Sequence, residues 1–283
     1  MISAIIPTYR APKYLDLCLK SATENKVSDE TEIIVIVDGY VEESEEILKK
    51  YEGSVSVLPL QENMGMQAAL NLGVMNATNE YIFILNDDNV FPTRWDVRMK
   101  DAIPSNKTAV VTMNQVEPSP SIFDFVISDL GRNADEFRYE EWLAFEKQLN
   151  TNTAPDGRGR IFPFIISKRL YMAVGGFDTF YASPFWCDVD FWLKLELLGN
   201  VEFERSRKAH FYHFGSASTK NREDSEAAIF KRSEGAAAEA FHYKWGYLPN
   251  IVRNAHIREN TKMPDSPQTI KGITYDLYSG DNR

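Results

Sequence analysis

Short apolar runs alternate with longer amphipathic stretches over the first half of the chain. The apolar runs, such as residues 33–37 and 81–85, are rich in β-branched and aromatic residues and have the length of buried strands. Between them, apolar residues recur at helical spacing, as Leu15, Cys18 and Leu19 do. This alternation predicts βαβ units around a parallel sheet.

The pattern changes in the middle of the chain. The predicted strands are 3–6, 32–37, 55–58, 81–85, 107–113 and 161–166, and the predicted helices are 12–23, 44–51, 65–76, 134–149 and 189–198. Between residues 115 and 160 the strand-helix rhythm is interrupted. From residue 219 the chain reads as polar helix, and residues beyond His256 are poor in apolar side chains, which predicts a loosely docked or disordered tail.

Length and charge narrow the classes of protein. A chain of 283 residues with 43% hydrophobic content can bury a substantial core, and its formal charge of −10 argues against a nucleic-acid partner. Cys18 and Cys187 are too few for a disulfide framework and lack zinc-site spacing, which suits a reducing compartment. The sequence contains no run of the ~18 apolar residues that a transmembrane helix needs, and its first residues do not resemble a signal peptide. We therefore expect a cytoplasmic protein, with peripheral membrane association left open.

Two adjacent carboxylates, Asp87 and Asp88, directly follow the predicted strand 81–85. In open α/β sheets, ligands gather outside the carboxyl ends of the strands. Oxygen ligands at that edge suit Mg²⁺ or Mn²⁺ carrying a diphosphate. An acidic pair after a strand is equally typical of a helix cap or a solvated turn, so the pair alone leaves both interpretations open.

Other strand ends carry groups that a nucleotide could use. Asp38 ends the second strand, where it could bind a base or ribose or simply begin a turn. The segment Pro7-Thr8-Tyr9-Arg10 offers a rigid turn, a hydroxyl, an aromatic ring and a cation. Asn63 and Gly65 precede a helix whose N-terminus could face a phosphate, although an ordinary turn explains them too. The chain contains neither G-x-G-x-x-G nor a P-loop motif, which argues against a dinucleotide fold and a P-loop ATPase.

Two further clusters lie in the second half of the chain. Asp188 and Asp190 stand near the predicted start of a helix, where an acidic residue could act as a general base or interact with the helix dipole. His210 and His213 are three residues apart, and a histidine there could bind a metal or be structural.

Seven short motifs follow one another along the chain. They are Pro7-Thr8-Tyr9-Arg10, Val37-Asp38-Gly39, Asn63-Met64-Gly65, Leu85-Asn86-Asp87-Asp88, Gly175-Gly176-Phe177-Asp178, Asp188-Val189-Asp190 and His213-Phe214-Gly215-Ser216-Ala217-Ser218. In this order and spacing they resemble family 2 of the inverting glycosyltransferases, and Lys244-Trp245-Gly246 looks like a further family element. The resemblance implies a GT-A fold, an α/β architecture in which a Rossmann-like, mostly parallel nucleotide-binding sheet is continuous with an acceptor-binding half.

The resemblance also implies a division of the chain and roles for single residues. Residues 1–220 would form the catalytic domain, with a nucleotide-sugar half (1–114) and an acceptor half (115–220), followed by a helical extension and tail (221–283). The residues implied on the donor side are Pro7, Thr8, Tyr9, Arg10, Asp38, Asn63, Gly65, Asn86 and Asp87. Asp88 and His213 match the metal ligands, Asp188 matches the general base, and Trp186 and Asp190 are candidates for the acceptor side.

Two positions depart from the family pattern. Asn86 stands where the D-x-D signature has its first aspartate, and this variant looks similar to enzymes that act on rhamnose or galactofuranose donors. Cys187 stands where the family's Glu-Asp element has its glutamate, which bears on the acceptor contact more than on the base.

The resulting hypothesis is a metal-dependent inverting glycosyltransferase that uses Mn²⁺ or Mg²⁺ and a UDP, dTDP or GDP sugar. The expected acceptor is a glycan or glycoconjugate hydroxyl, as in polysaccharide synthesis. The alternative is a catalytically decayed sugar-nucleotide-binding or scaffold protein on the same fold. A nucleotidyltransferase fits less well, since residues 7–10 are not a Gly-rich phosphate loop. Donor, acceptor, linkage and oligomeric state are not fixed by these motifs.

Overall fold

The structure is a computed structural model that describes residues 1–121, 123–181, 183–215 and 224–256. Within these residues, the strands are β1 (Ile2–Thr8), β2 (Glu32–Asp38), β3 (Ser56–Leu60), β4 (Tyr81–Ile84), β5 (Asn89–Val90), β6 (Ala109–Glu117), β7 (Val126–Ile127), β8 (Phe164–Ser167) and β9 (Glu202–His213). The α-helices are α1 (Pro12–Glu24), α2 (Glu45–Lys50), α3 (Met66–Asn76), α4 (Trp95–Lys100), α5 (Tyr139–Glu146), α6 (Lys168–Ala173), α7 (Cys187–Leu197), α8 (Asp224–Trp245) and α9 (Pro249–Asn254). Short 3₁₀ turns cover Val41–Glu43 and Ala134–Glu136.

The described strands form one sheet in the order β3-β2-β1-β4-β8-β6-β9-β5, with β7 paired to β6. Strands β3, β2, β1 and β4 run parallel, β8 is antiparallel to both of its neighbours, and β6 pairs in parallel with β9. The carboxyl ends of β1, β2, β4, β6 and β9 therefore lie at the same edge of the sheet. Strand β6 contains residue 114. The expected boundary between the nucleotide-sugar half and the acceptor half therefore falls inside a strand.

The central strands of the sheet are buried on both faces. Along β1, Ile5 packs into a core with α3 and α7, whereas Ala4 and Ile6 pack into a core with α1 and α4 on the opposite face. This two-sided burial explains the continuous apolar runs of the central strands. Helix α3 approaches the sheet closely at Gly73, where an added Cβ would lie 2.5 Å from Ile5 Cγ2.

The middle region differs from the prediction. The helix predicted over 134–149 is instead a 3₁₀ turn followed by α5, because Phe137 is extended between them. The Asn133 side chain accepts a hydrogen bond from the Glu136 N–H, and the Arg138 N–H turns back to the Leu130 carbonyl. Local capping therefore interrupts the single helix that the apolar spacing predicts.

Strand β9 was not predicted, because residues 202–208 are mostly charged or polar. Arg205 on this strand is only 1% exposed, and its guanidinium donates to the Asp156 carboxylate at 2.8 Å. A buried strand tolerates such a residue when its charge is paired. Strand β6 was also predicted too short, ending at residue 113 instead of Glu117.

The C-terminal helix α8 lies where polar helix was predicted, and α9 follows it. Residues 216–218 of the last motif and the predicted tail after residue 256 lie outside the described residues. In the described part of the chain, no helix combines the length and the apolar character that crossing a bilayer requires.

Candidate active site

Asp88 and His213 meet at the carboxyl edge of the sheet. Strand β5, which begins one residue after Asp88, pairs antiparallel with the end of β9, and its Asn89 lies opposite His213 in the register. This pairing places His213 Nε2 3.5 Å from Asp88 Oδ1. Two residues that are far apart in the sequence are thus held together by a two-residue strand.

Glu117 fixes the orientation of the His213 ring. Its Oε1 lies 2.8 Å from His213 Nδ1, and Glu117 is only 6% exposed at the end of β6. A carboxylate at Nδ1 favours the tautomer whose Nε2 lone pair is available to a metal. The sequence pattern does not single out Glu117, since it predicts that β6 ends four residues earlier. An acidic residue just beyond a predicted strand end, as at residues 87 and 88, is the signal that could have found it.

The donor set at this point fits a divalent cation that also binds an oxygen-rich ligand. Asp88 offers a carboxylate oxygen and His213 an imidazole nitrogen, both of which Mn²⁺ accepts. No group of three or more His, Cys, Asp or Glu side chains suited to a metal occurs among the described residues. Protein ligands would therefore occupy only part of the coordination sphere, as is usual where a substrate phosphate supplies the rest.

Asp87 is tied to the first strand. The Thr8 hydroxyl donates to Asp87 Oδ2 at 2.6 Å, which joins the carboxyl ends of β1 and β4. Burial and the neighbouring Asp88 charge raise the pKa of Asp87 to about 7, while the Thr8 hydrogen bond acts in the opposite direction. A cation bound nearby would favour the ionised form of Asp87. Asn86, which precedes it, uses its backbone N–H to bind Asn89 Oδ1 at 3.2 Å.

Asp38 organises the loop before α3. Its two carboxylate oxygens accept the backbone N–H groups of Met64 at 2.6 Å and Gly65 at 3.0 Å. Burial raises the pKa of Asp38, and these two hydrogen bonds oppose the shift. Gly65 adopts a φ of 87°, and Asn63 Oδ1 accepts the same Gly65 N–H at 3.0 Å. The structure thus brings together Asp38, Asn63 and Gly65, which were predicted separately.

Aromatic rings and a cation lie at the ends of β1 and β2. Tyr9 and Tyr40 make an edge-to-face contact with ring centroids 5.8 Å apart, and the Arg10 guanidinium carbon lies 4.7 Å from the centroid of Tyr40. Pro7 is partly exposed and lies between the buried residues Ile6 and Thr8 of β1. Arg10 also donates to Glu43 at 3.1 Å. The carboxyl ends of β1 and β2 therefore present flat apolar surfaces beside Asp38, of the kind on which a base can stack.

Asp188 and Asp190 occupy different environments on α7. Asp190 is fully buried, and its Oδ1 accepts from the Tyr181 hydroxyl at 3.0 Å, Trp245 Nε1 at 2.7 Å and Lys244 Nζ at 2.6 Å. Asp188 is only partly buried, and burial raises its pKa while the Arg253 charge lowers it. Asp190 is thus bound within the fold, and Asp188 is the carboxylate of the pair that a substrate can reach.

Trp186 directly precedes α7, and Cys187 is the first residue of that helix. Trp186 has a φ of 64°, a left-handed conformation that tryptophan seldom adopts, and it is 9% exposed. Cys187 is fully buried, and its thiol donates to the Pro184 carbonyl at 3.2 Å. Burial, with the negative charges of two neighbouring aspartates, raises the pKa of this thiol well above its usual range. Cys187 therefore contributes packing at the position where a glutamate was expected.

Two basic residues, His210 and Lys168, lie apart from the Asp88–His213 pair. His210 is buried, and desolvation with nearby arginine charges lowers its pKa to about 4, so it stays neutral. His210 and His213 are three residues apart on one strand, so their side chains point to opposite faces of the sheet. Lys168 donates to the carbonyls of Met75 and Ala77 at the end of α3, which is a structural role.

The fold of this chain is similar to that of known proteins. In S. aureus TarS 1–349 in complex with UDP-GlcNAc, 66% of that chain aligns with 85% of this one at a TM-score of 0.52 and 15% identity. At this identity the likeness concerns the fold, and it confirms the predicted α/β architecture of the GT-A type.

Curated relatives are similar over part of their length. An uncharacterized glycosyltransferase of Rickettsia conorii is 25% identical over 214 residues, which cover 73% of this chain and 33% of the relative. The cholesterol galactosyltransferase of Borreliella burgdorferi is 33% identical over 112 residues, which cover 38% of this chain and 31% of the relative. The chain spans about a third of the length of these relatives.

The model of the family described as Glycosyl transferase family 2 matches residues 3–171. This range is more than half of the chain. It contains Asp38, Asp87 and Asp88 and ends before Asp188 and His213. Together with the sheet order and the acidic motif at its edge, the match confirms the resemblance seen in the sequence: the chain belongs to glycosyl transferase family 2.

Proposed function

We propose that this chain is a metal-dependent inverting glycosyltransferase that moves a sugar from a nucleoside-diphosphate sugar to an acceptor hydroxyl. The observation that carries the proposal is the array of Glu117, His213 and Asp88, in which a buried carboxylate orients an imidazole 3.5 Å from a second carboxylate. A histidine held in this way beside an acidic strand end is typical of a metal site.

Asp88 and His213 would hold the cation, Mn²⁺ or Mg²⁺. Bound there, the cation offsets the negative charge that develops on the departing nucleoside diphosphate. The chain itself offers little positive charge for this purpose, since its formal charge is −10 and Arg10 and Lys168 are engaged with Glu43 and with the end of α3.

The donor nucleotide would lie across the carboxyl ends of β1, β2 and β4. Tyr9 and Tyr40 provide ring surfaces for the base, and the loop held by Asp38 provides Asn63 and the N-terminus of α3. The TarS complex with UDP-GlcNAc supports a UDP sugar as the first donor to test, with dTDP and GDP sugars as the other arms.

Asp188 would act as the general base. Its carboxylate takes the proton of the acceptor hydroxyl while that oxygen forms a bond to C1 of the sugar. The bond between C1 and the phosphate oxygen breaks, and the electron pair leaves with the nucleoside diphosphate. Attack from the face opposite the leaving group inverts the configuration at C1. The acceptor on this proposal is a glycan or glycoconjugate.

The test is turnover of a panel of UDP, dTDP and GDP sugars in Mn²⁺, with release of the nucleoside diphosphate as the signal. A mixture of short oligosaccharides serves as the acceptor, and NMR of the product reports the anomeric configuration. The proposal expects acceptor-dependent release with inversion. Nucleotide binding without release from any sugar, with or without acceptor, would instead support the decayed sugar-nucleotide-binding protein.

A further inference from the structure

A cation from the C-terminal helices lies beside the proposed base. The guanidinium carbon of Arg253, on α9, lies 4.7 Å from the centroid of the Trp186 ring, the distance of a cation–π contact. Trp186 directly precedes α7 and stands two residues before Asp188. Burial raises the pKa of the Asp188 carboxylate, and the positive charge of Arg253 acts in the opposite direction. The three side chains therefore form one electrostatic unit.

Two donors of this unit are buried without an acceptor. Arg253 Nε and Trp186 Nε1 are both closed to solvent and have no hydrogen-bond partner among the described residues. Trp186 is 9% exposed, so its side chain is more than nine-tenths buried. Buried N–H groups are nearly always bonded in folded proteins, and an exception at a functional site points to a missing ligand.

The rest of the C-terminal region is arranged to hold Arg253 in place. Lys244 bridges Asp178 and Asp190 at 2.6 Å each, and Trp245 Nε1 donates to Asp190. These contacts fix the end of α8 on α7, and α9, which begins four residues later, carries Arg253 back to the start of α7. All of these residues follow residue 171, where the match to the family ends.

A guanidinium and an indole N–H together select an oxygen anion. Arginine binds phosphate and carboxylate through hydrogen bonds that are charge-assisted. In a chain with a net charge of −10, an arginine that offers a buried, unbonded N–H beside the proposed base stands out. A neutral hydroxyl could accept hydrogen bonds from both N–H groups. The positive charge of Arg253 would then be balanced by Asp188 alone.

We infer that Arg253 and Trp186 form an acceptor subsite that recognises an oxyanion, a phosphate or a carboxylate, carried by the acceptor close to its reacting hydroxyl. This inference rests on the proposed function, because it takes Asp188 as the base of the transfer. It assigns Arg253 and Trp186 to acceptor recognition, whereas the donor is bound at the other strand ends.

The experiment follows the indole N–H of Trp186 by ¹H–¹⁵N NMR in the full chain, with W186F used to assign the signal. The probes are glycerol 3-phosphate, glycerate and glycerol, which share a hydroxylated carbon skeleton and differ in charge and in the anion. Comparison of the first two probes decides between phosphate and carboxylate. Titration of UDP with Mn²⁺ in the same samples reports on the donor site.

We expect one of the two anions to shift the Trp186 signal in a saturable way, and glycerol to leave it unchanged. Arg253→Gln should weaken the binding of that anion about tenfold or more, because a charge-assisted hydrogen bond is lost. Arg158→Gln removes the same charge from an exposed ion pair with Asp124 and should leave anion binding intact. Arg253→Lys keeps the charge without the planar fork and should bind with intermediate affinity, which provides a second test if Arg253→Gln does not fold.

Three results would overturn the inference. The first is that neither anion moves the Trp186 signal more than glycerol does. The second is that Arg253→Gln binds the anion as well as the unchanged protein does. The third is that Arg253→Gln weakens UDP as much as it weakens the anion, which would assign Arg253 to the donor diphosphate. A failure of the proposed function is distinguishable, because the unchanged protein would then release no nucleoside diphosphate from any sugar, whether or not an anion moves the Trp186 signal.

Discussion

Along its strand order the sheet can be divided into two sides, and these hold their functional groups by different means. On the side formed by β1 to β4, Thr8, Asp38 and Asp87 are fixed by hydrogen bonds between strand ends and the loops that follow them. On the side formed by β6, β9 and α7, the corresponding residues are fixed by buried charges, namely Glu117 on His213 and Lys244 on Asp190. The first arrangement depends on backbone geometry, and the second depends on placing buried carboxylates against basic side chains.

The difference has a consequence for how each side responds to mutation. A buried ion that loses its partner is costly, whereas a loop that loses one hydrogen bond can rebond to water. We therefore expect the second side to be the more sensitive to loss of a single charge. The same side contains the base and the histidine of the proposed metal site, so its ion pairs are expected to affect both stability and turnover.

The largest effect on stability should come from Asp190→Asn. The variant leaves Lys194 and Lys244, which lie 3.6 and 2.6 Å from the Asp190 carboxylate, facing a neutral amide. The expected cost is about 3 kcal/mol, the lower end for a broken buried pair, because Lys244 is itself exposed and retains Asp178. Urea denaturation measures the loss. Asp135→Asn breaks the exposed pair with Lys13, which lies 2.6 Å away, and should cost under about 1 kcal/mol. Equal losses in the two variants would show that the ion pairs of the buried Asp190 are no costlier to lose than an exposed pair.

Asp188→Asn should have the largest effect on turnover. Loss of a general base lowers kcat by about 10² or more, while donor binding stays nearly unchanged. Because burial raises the pKa of Asp188, its ionised form destabilises the fold at pH values above the ordinary aspartate pKa. The asparagine variant should therefore not lower the melting temperature at neutral pH. The measurements are nucleoside diphosphate release, UDP titration and thermal melting. Unchanged turnover would remove Asp188 from the role of base.

Glu117→Gln tests the orientation of His213. The amide can still accept from Nδ1 but carries no charge, so we expect Mn²⁺ to bind about tenfold more weakly. Calorimetric titration of Mn²⁺ in the presence of UDP measures this change. Glu202→Gln, at an exposed position of the same sheet, is the matched control and should bind Mn²⁺ as the unchanged protein does. Full Mn²⁺ affinity in Glu117→Gln would show that the carboxylate is not needed.

The smallest expected effect is on the pH profile. The base must be ionised to accept a proton, and burial raises the pKa of Asp188. As the pH is lowered, kcat should therefore begin to fall at a higher pH than it would for an unperturbed aspartate, whose pKa is near 3.8. The profile is measured at saturating Mn²⁺, since a bound cation lowers the pKa of the neighbouring Asp87. An acid limb at or below the ordinary aspartate pKa would contradict the environment described for Asp188.

The sequence predicted the first side of the sheet well, for a physical reason. Its strands are continuous apolar runs, and parallel strands bring their carboxyl ends to one edge, so residues such as Asp38 and Asp87 could be placed together without further information. The predicted starts and ends of β2 and α1 lie within one residue of those observed.

The second side was harder to predict because its burial does not follow hydrophobicity. Strand β9 is charged, and its place in the sheet depends on Asp156 pairing with Arg205 from 49 residues away. The role of Asp190 depends on Trp245, which is 55 residues further along the chain. Glu117 was missed because Asn114 and Gln115 look like the end of a strand, although Gln115 is buried and its amide donates to the Phe162 carbonyl. Such pairings are a property of the folded chain, and a single sequence does not display them.

The central claim is that a metal and a nucleotide bind together where the two sides meet. Thermal melting with UDP, dTDP and GDP, each with and without Mn²⁺, tests it most directly, because a ligand at 100 times its Kd adds about 2.7 kcal/mol to stability. We expect one nucleotide to raise the melting temperature and Mn²⁺ to enlarge this shift beyond the effect of either ligand alone. No shift with any nucleotide, or the same shift in EDTA as in Mn²⁺, would contradict it.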